Sequence, residues 1–309
     1  MGCGLSMRHK HDNDTRESRI TQLLSMAYDT NSTARVLAVT DQILELDPDN
    51  PEALILKADR IKGEDMKIEL LLRALASLNK PENANYADRD LLLLEVNEGL
   101  ALMYFMKNKF HESFRYSSEA MTILNADEDL RDEIDEDGNF HSVHYRVMIE
   151  LHEWQKILAE AMRDEERNTA WAYSRLIAAY MLAPEHVHVY ANMFWDLLRI
   201  SPDMPFYMLG IYEEPDDDAD SEEVDDFNFA LMFYDTLDIS EEFKNWFRRG
   251  VILFGLLTNR FDESEHDYMI DALDASGGYE EYERMSRIIV EGDDEAVIEM
   301  LSANKCLTD

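Results

Sequence analysis

Apolar residues in this chain recur with a beat of three to four positions, and little interrupts them. Its 309 residues include only 11 glycines and 7 prolines. Such a beat lays one apolar stripe along a helix, which must then pack against another. A sandwich or barrel needs many tight turns, and a chain so poor in turn residues cannot supply them. Hydrophobic residues make up 46%, enough to build a sizeable core and too many for wholesale disorder. The expected class is all-α.

The strongest local pattern lies over residues 97–125. It reads Leu100-Ala101, Tyr104, a turn at Lys107-Asn108-Lys109, then Phe110, Ser113 and Ala120-Met121. Leu100, Met103 and Tyr104 share one face of a first helix, and Phe110, Phe114, Ser117 and Met121 form a stripe on a second. The short connection makes the two antiparallel. A second pattern is Leu46-Asp47-Pro48-Asp49-Asn50-Pro51-Glu52-Ala53. Pro48 stops one helix, Asp and Asn offer caps, and Pro51 fits a first helical turn. A third runs through Ala172, Leu176, Ala179 and Tyr180 to Ala183-Pro184, followed by a helical stretch over 187–200.

These residues resemble the tetratricopeptide consensus: a large–small pair, an aromatic, a turn, a second aromatic, a late alanine and a closing proline. The resemblance covers about residues 34–200, with two or three recognisable repeats and degenerate ones between. It implies an α-solenoid of antiparallel helix pairs whose first helices line a concave groove. The groove positions it assigns here are Asp59, Glu98, Leu102, Phe105, Asn192 and Trp195. The family's chaperone-binding members grip a C-terminal carboxylate with lysines and asparagines. Glu98, Leu102, Ile55 and Asp59 stand at the comparable positions, so that activity is not implied.

Two acidic runs, 125–139 and 213–226, read as solvated loops, because like charges so dense resist burial. Helical periodicity is expected over 141–163 without a clean repeat, and again over 227–237, 241–260, 263–275, 279–290 and 295–303. The expected organisation is a flexible N-terminal tail over 1–18, a repeat region over 19–205, an acidic linker over 206–226 and a C-terminal helical region over 227–309. That last region caps the solenoid, since terminal repeats must be atypical to stay soluble.

The net charge is −37, from 66 acidic against 29 basic residues. Such a field repels phosphate backbones and anionic lipid, and attracts basic protein or peptide. Nucleic acid is not an expected partner. The two cysteines, Cys3 and Cys306, have no CxxC or metal-finger neighbour, which points to a reducing compartment. No apolar run is long enough to span a bilayer and no secretory h-region opens the chain, so the expected location is cytoplasmic. Met1-Gly2-Cys3-Gly4-Leu5-Ser6 does satisfy the myristoylation pattern, with Gly2 as acceptor and Cys3 available for a second chain. An alternative start at Met7 sets that anchor behind the unanchored reading.

Candidate chemistry is sparse. Glu133 to Gly138 resembles the first half of a calcium loop, but the twelfth position is His144 rather than a bidentate glutamate, which favours a plain acidic loop. His141, His144 and His152 cluster in sequence, as do His186 and His188, without the HExxH spacing of a metal site. Phe227, Phe229, Met232, Phe233 and Tyr234 could line a peptide groove, though a cluster so apolar is more often core. No nucleophile elbow, phosphate loop or dinucleotide fingerprint is present. The expected function is a non-catalytic interaction module or scaffold, without cofactor or metal, holding a basic or amphipathic peptide or partner helix in an acidic and apolar groove. The alternative is a metal-dependent or enzymatic protein with a site near His141, His144 and His152. A self-associating structural protein is a third reading.

Overall fold

The computed structural model describes residues 4–86, 88–127, 130, 139–162, 168–216, 219–289 and 293–308, without the side chains of 4–14, 139, 140 and 222. The chain is all-α, with no strand among the described residues. Its helices are α1 (Gly4–Tyr28), α2 (Thr33–Leu46), α3 (Pro51–Arg60), α4 (Glu64–Leu78), α5 (Arg89–Met106), α6 (Phe110–Ala126), α7 (Asn139–Glu150) and α8 (Trp154–Ala161). They continue as α9 (Thr169–Leu182), α10 (Val187–Ile200), α11 (Met204–Met208), α12 (Ser221–Phe233), α13 (Glu241–Leu257), α14 (Glu263–Ala275), α15 (Tyr279–Ser286) and α16 (Asp294–Ala303). Among the described residues no helix is long and apolar enough to cross a membrane. Two compact units divide the chain, 1–147 and 148–309.

In the first unit each helix from α1 to α6 packs on the next, and α3 also packs on both α1 and α5. The reasons are local. At the α2–α3 junction the Asn50 side chain accepts the Ala53 N–H at 3.0 Å, and Pro51 opens α3 where its missing N–H costs nothing. Asn108 turns the α5–α6 connection with a left-handed φ of 55°. The two helices then close on each other through small residues. The Ser113 hydroxyl donates to the Ala101 carbonyl at 2.7 Å, and Tyr104 stacks on Tyr116 with ring centroids 5.5 Å apart. The buried face of α6 is therefore Ser113, Tyr116, Ser117, Ala120 and Leu124. That face is rotated from the stripe expected at Phe110, Phe114, Ser117 and Met121, because close approach favours serine and alanine over phenylalanine at the contact. Leu23, Ala27, Val39, Ile43 and Ala53 form one core cluster and Leu94, Ala120, Leu124 and Leu130 another.

The second unit is built around α13, whose residues from Gly250 to Leu257 are all buried. A Cβ on Gly250 would lie 2.7 Å from the Phe194 ring, so only glycine lets α10 come so near. Arg260 ties three segments together, ion-paired to Asp203 and Asp294 with its guanidinium 5.3 Å from the Phe206 and Phe254 ring centroids. Cys306 is a buried free thiol.

Four boundaries differ from the sequence expectation. Helix α1 already runs from Gly4, inside the expected tail over 1–18. The helix expected over 141–163 is broken at Leu151-His152-Glu153, where His152 takes a φ of 56° and the Glu153 N–H bonds back to the Met148 carbonyl. Within 206–226 the chain is not a plain linker. Residues Met204–Met208 form a short buried helix, and Asp220 caps α12 by accepting the Glu223 N–H at 2.9 Å. Finally, the division into compact units falls at 147–148, not at 206–226.

Candidate functional site

Helix α5 shows two faces. Leu93, Asn97, Leu100 and Ala101 are buried, with the Asn97 amide turned back onto the Leu93 carbonyl at 2.7 Å. The other face carries Leu92, Glu95, Gly99 and Leu102 into a cleft of about 540 Å³, together with Glu98. Helix α3 contributes Ile55, Ala58 and Asp59 to the opposite wall, α4 supplies Lys67 and Leu71, and Tyr28 enters from the end of α1. Gly99 keeps the floor low: a Cβ there would already stand 3.0 Å from Leu71 Cδ1.

The walls mix apolar and charged side chains, and the carboxylates of Asp59, Glu95 and Glu98 share them with Arg60 and Lys67. Neither Glu95 nor Glu98 makes a hydrogen bond or ion pair with any described residue. Burial pushes the Glu98 carboxyl up to about 7, and the negative charges of Glu95 and Asp59 add to the effect. Glu95 is raised in the same way, by burial first and then by Asp59 and Glu52. Asp59 stands exposed at the mouth. Crowding by the surrounding protein raises its carboxyl while Arg60 and Lys67 pull it back down, and solvent makes it the weakest member of the three. Glu52 nearby is different, since it accepts the Tyr86 hydroxyl at 2.8 Å and the Tyr28 hydroxyl at 3.5 Å. Glu95 and Glu98 are thus partly desolvated carboxyls with no ion-pair partner among the described residues, an arrangement that a ligand cation would relieve.

Asp59, Glu98 and Leu102 therefore meet in one cleft. Phe105, one turn beyond Leu102, does not line it; its ring packs 5.8 Å from Phe110, with the Arg146 guanidinium 5.3 Å from its centroid. In the second unit Asn192 is exposed on α10, but Trp195 is 1% exposed and packs edge-on to Phe194, so it belongs to the core. Glu95, Lys67 and Tyr28 escaped the sequence reading. Glu95 sits one turn before Glu98 and could have been found from that spacing, whereas Tyr28 and Lys67 arrive from distant helices with no local signal.

The histidines make other contacts. His144 Nδ1 lies 2.9 Å from the Ser117 hydroxyl and its ring stacks on Phe114, His141 is buried, and His152 is exposed and stacked on Trp154. Among the described residues no three His, Cys, Asp or Glu side chains gather as a metal site. The calcium-like run Glu133 to Gly138 and the acylation residues Gly2 and Cys3 lie outside the described residues. Of the aromatic cluster at the end of α12, Phe229 and Phe233 are buried while Tyr234, just past the helix, is 55% exposed. A second cleft, about 670 Å³ between α13 and α14, brings Glu242 beside Arg248 and Arg249, so charges of both signs meet there.

No family model matches the chain, and neither curated proteins nor solved structures yield a match.

Proposed function

We propose that this chain is a non-catalytic interaction module that holds a basic, amphipathic peptide segment in the cleft of its first unit. The observation that carries the reading is the pair Glu95 and Glu98, two carboxylates in the cleft with no ion-pair partner among the described residues. A lysine or arginine offers a long apolar stem and a cationic end, which suits such a cleft and such a charge. Leucine or a similar residue beside it fills the space over Leu92 and Leu102. In this reading the helices stack as a tetratricopeptide-like solenoid with degenerate repeats and a C-terminal helical cap, in the cytoplasm. Support comes from the packing of α3 on both α1 and α5, the alternate helices that supply Tyr28, Asp59 and Glu98 to one cleft.

The test is titration with an acetylated, amidated leucine–lysine amphipathic peptide, with a leucine–glutamate peptide of the same pattern as control. The lysine peptide is expected to bind and the glutamate peptide not to. The double variant Glu95→Gln, Glu98→Gln is expected to weaken the complex by about 2 kcal/mol, the scale of losing desolvated charge partners. Equal affinity of the variant and the original chain would overturn the reading.

A further inference from the structure

We infer that occupation of the cleft is coupled to proton release: a lysine ammonium seated against Glu95 and Glu98 displaces the proton that Glu98 carries in the empty cleft, so partner affinity is set by pH near neutrality. The inference rests on the peptide-binding reading above and adds its regulation.

The geometry comes first. Glu95 and Glu98 are one turn apart on the same helix face, which places their Cβ atoms about 5–6 Å apart. Two carboxylates that share a partly desolvated wall cannot both ionise cheaply, so one retains its proton to higher pH. Glu98 is the one at which burial, Glu95 and Asp59 all act in the same direction, bringing it to about 7.

The groups around it come from every packed helix. Tyr28 faces the cleft from α1; it is neutral near pH 7, because burial and Glu52 push its hydroxyl up. Helix α3 presents Asp59 and Arg60, and α4 presents Lys67. The two cations act on Asp59 at the mouth, and neither is among the influences on Glu98. No titratable group of α6 lines the cleft. The Glu95–Glu98 end is therefore the part where negative charge lacks compensation.

The step balances simply. The protonated Glu98 carboxyl and an incoming ammonium become a carboxylate–ammonium pair, and the released proton goes to the buffer. No covalent bond to carbon changes. Cation binding requires the ionised form, so the apparent affinity scales with the ionised fraction of Glu98.

The leucine–lysine peptide, which contains no histidine, is titrated calorimetrically at fixed salt. With Glu98 titrating at about 7, binding is expected to be about tenfold tighter at about pH 8 than at about pH 6. At about pH 7 the heats in phosphate and Tris should differ by the ionisation of about half a proton per complex. In Glu98→Gln the pH dependence and the buffer dependence should both vanish while the far-ultraviolet dichroism stays helical. That control separates Glu98 from the nine histidines, which the variant retains. The buffer comparison needs no variant, so it remains decisive if Glu98→Gln folds poorly. Binding of the original chain that is equal at both pH values and indifferent to buffer overturns this inference alone, as does an unchanged pH dependence in Glu98→Gln. No binding anywhere in the range overturns the peptide-binding reading itself.

Discussion

The Glu98 carboxylate costs the fold stability whenever it is charged. Its ordinary value is 4.5 and the folded chain raises it to about 7. Between those values the folded chain holds a proton that the unfolded chain has already released. Stability therefore falls as pH rises through that window, and the penalty is complete above it. Glu95 and Asp59 are shifted upward as well and act with the same sign. An amide at position 98 removes the charge while keeping the shape. We expect Glu98→Gln to be more stable than the original chain at about pH 8, by on the order of 1–2 kcal/mol once partial exposure is allowed for. The difference should disappear at about pH 3.5, where Glu98 is protonated in the folded and the unfolded chain alike. Thermal melts followed by dichroism at the two pH values check this. A variant less stable at the higher pH would mean that the carboxylate has a stabilising partner in the fold. Such a destabilised charge also fits a binding role, because stability given up in the empty cleft is recovered when a cation enters.

Individual helices owe their limits to single side chains, and Asn50 is the clearest case. It is 4% exposed, and its amide oxygen accepts the N–H of Ala53, the third residue of α3. Asn50→Ala leaves that donor buried and unpaired, so a loss of about 1–2 kcal/mol is expected in urea denaturation. Asn192→Ala, on the exposed face of α10, should stay within about 0.5 kcal/mol of the original. Asn50 was readable from sequence, since a cap between two prolines has few other interpretations. The spans of α10 and α14 were equally readable, because strong periodicity ends at proline or glycine on at least one side. The break at His152 was not, because a left-handed histidine carries no local mark. The acidic run before α12 misled for a physical reason. Asp220 and the residues after it repel one another as a loop would, yet the same negative charges cap a helix and complement its N-terminal dipole. In the cleft, Asp59, Glu98 and Leu102 were legible as positions on helix faces. Whether those faces meet depends on packing between helices, which local periodicity does not encode. Trp195 shows the other side of that limit: the same positional logic placed it in a groove, but its large apolar ring is buried against Phe194.

At the scale of the whole molecule the net charge of −37 dominates. Most of these charges are on the surface, where like signs repel one another and oppose compaction. Added sodium chloride shortens the Debye length from about 10 Å at 0.1 M to about 3 Å at 1 M, so self-repulsion is screened first. The melting temperature should therefore rise as sodium chloride is increased from about 0.05 M to about 0.5 M. Affinity for a basic peptide should fall over the same range, because the same screening removes the long-range attraction that brings a cation to the cleft. Salt thus moves stability and binding in opposite directions. That opposition is what makes the pair of measurements informative: a complex weakened because the protein unfolds would show both falling together, whereas a complex weakened by screening shows a firmer fold with a poorer grip. Chloride is the proper choice of anion, since sulfate would strengthen apolar burial by exclusion and raise the melting temperature for an unrelated reason. The short-range part of the interaction, at Glu95 and Glu98 inside the cleft, is screened less than the surface field. Affinity should accordingly level off at high salt instead of vanishing, and the residual binding should be the part that Glu98→Gln removes.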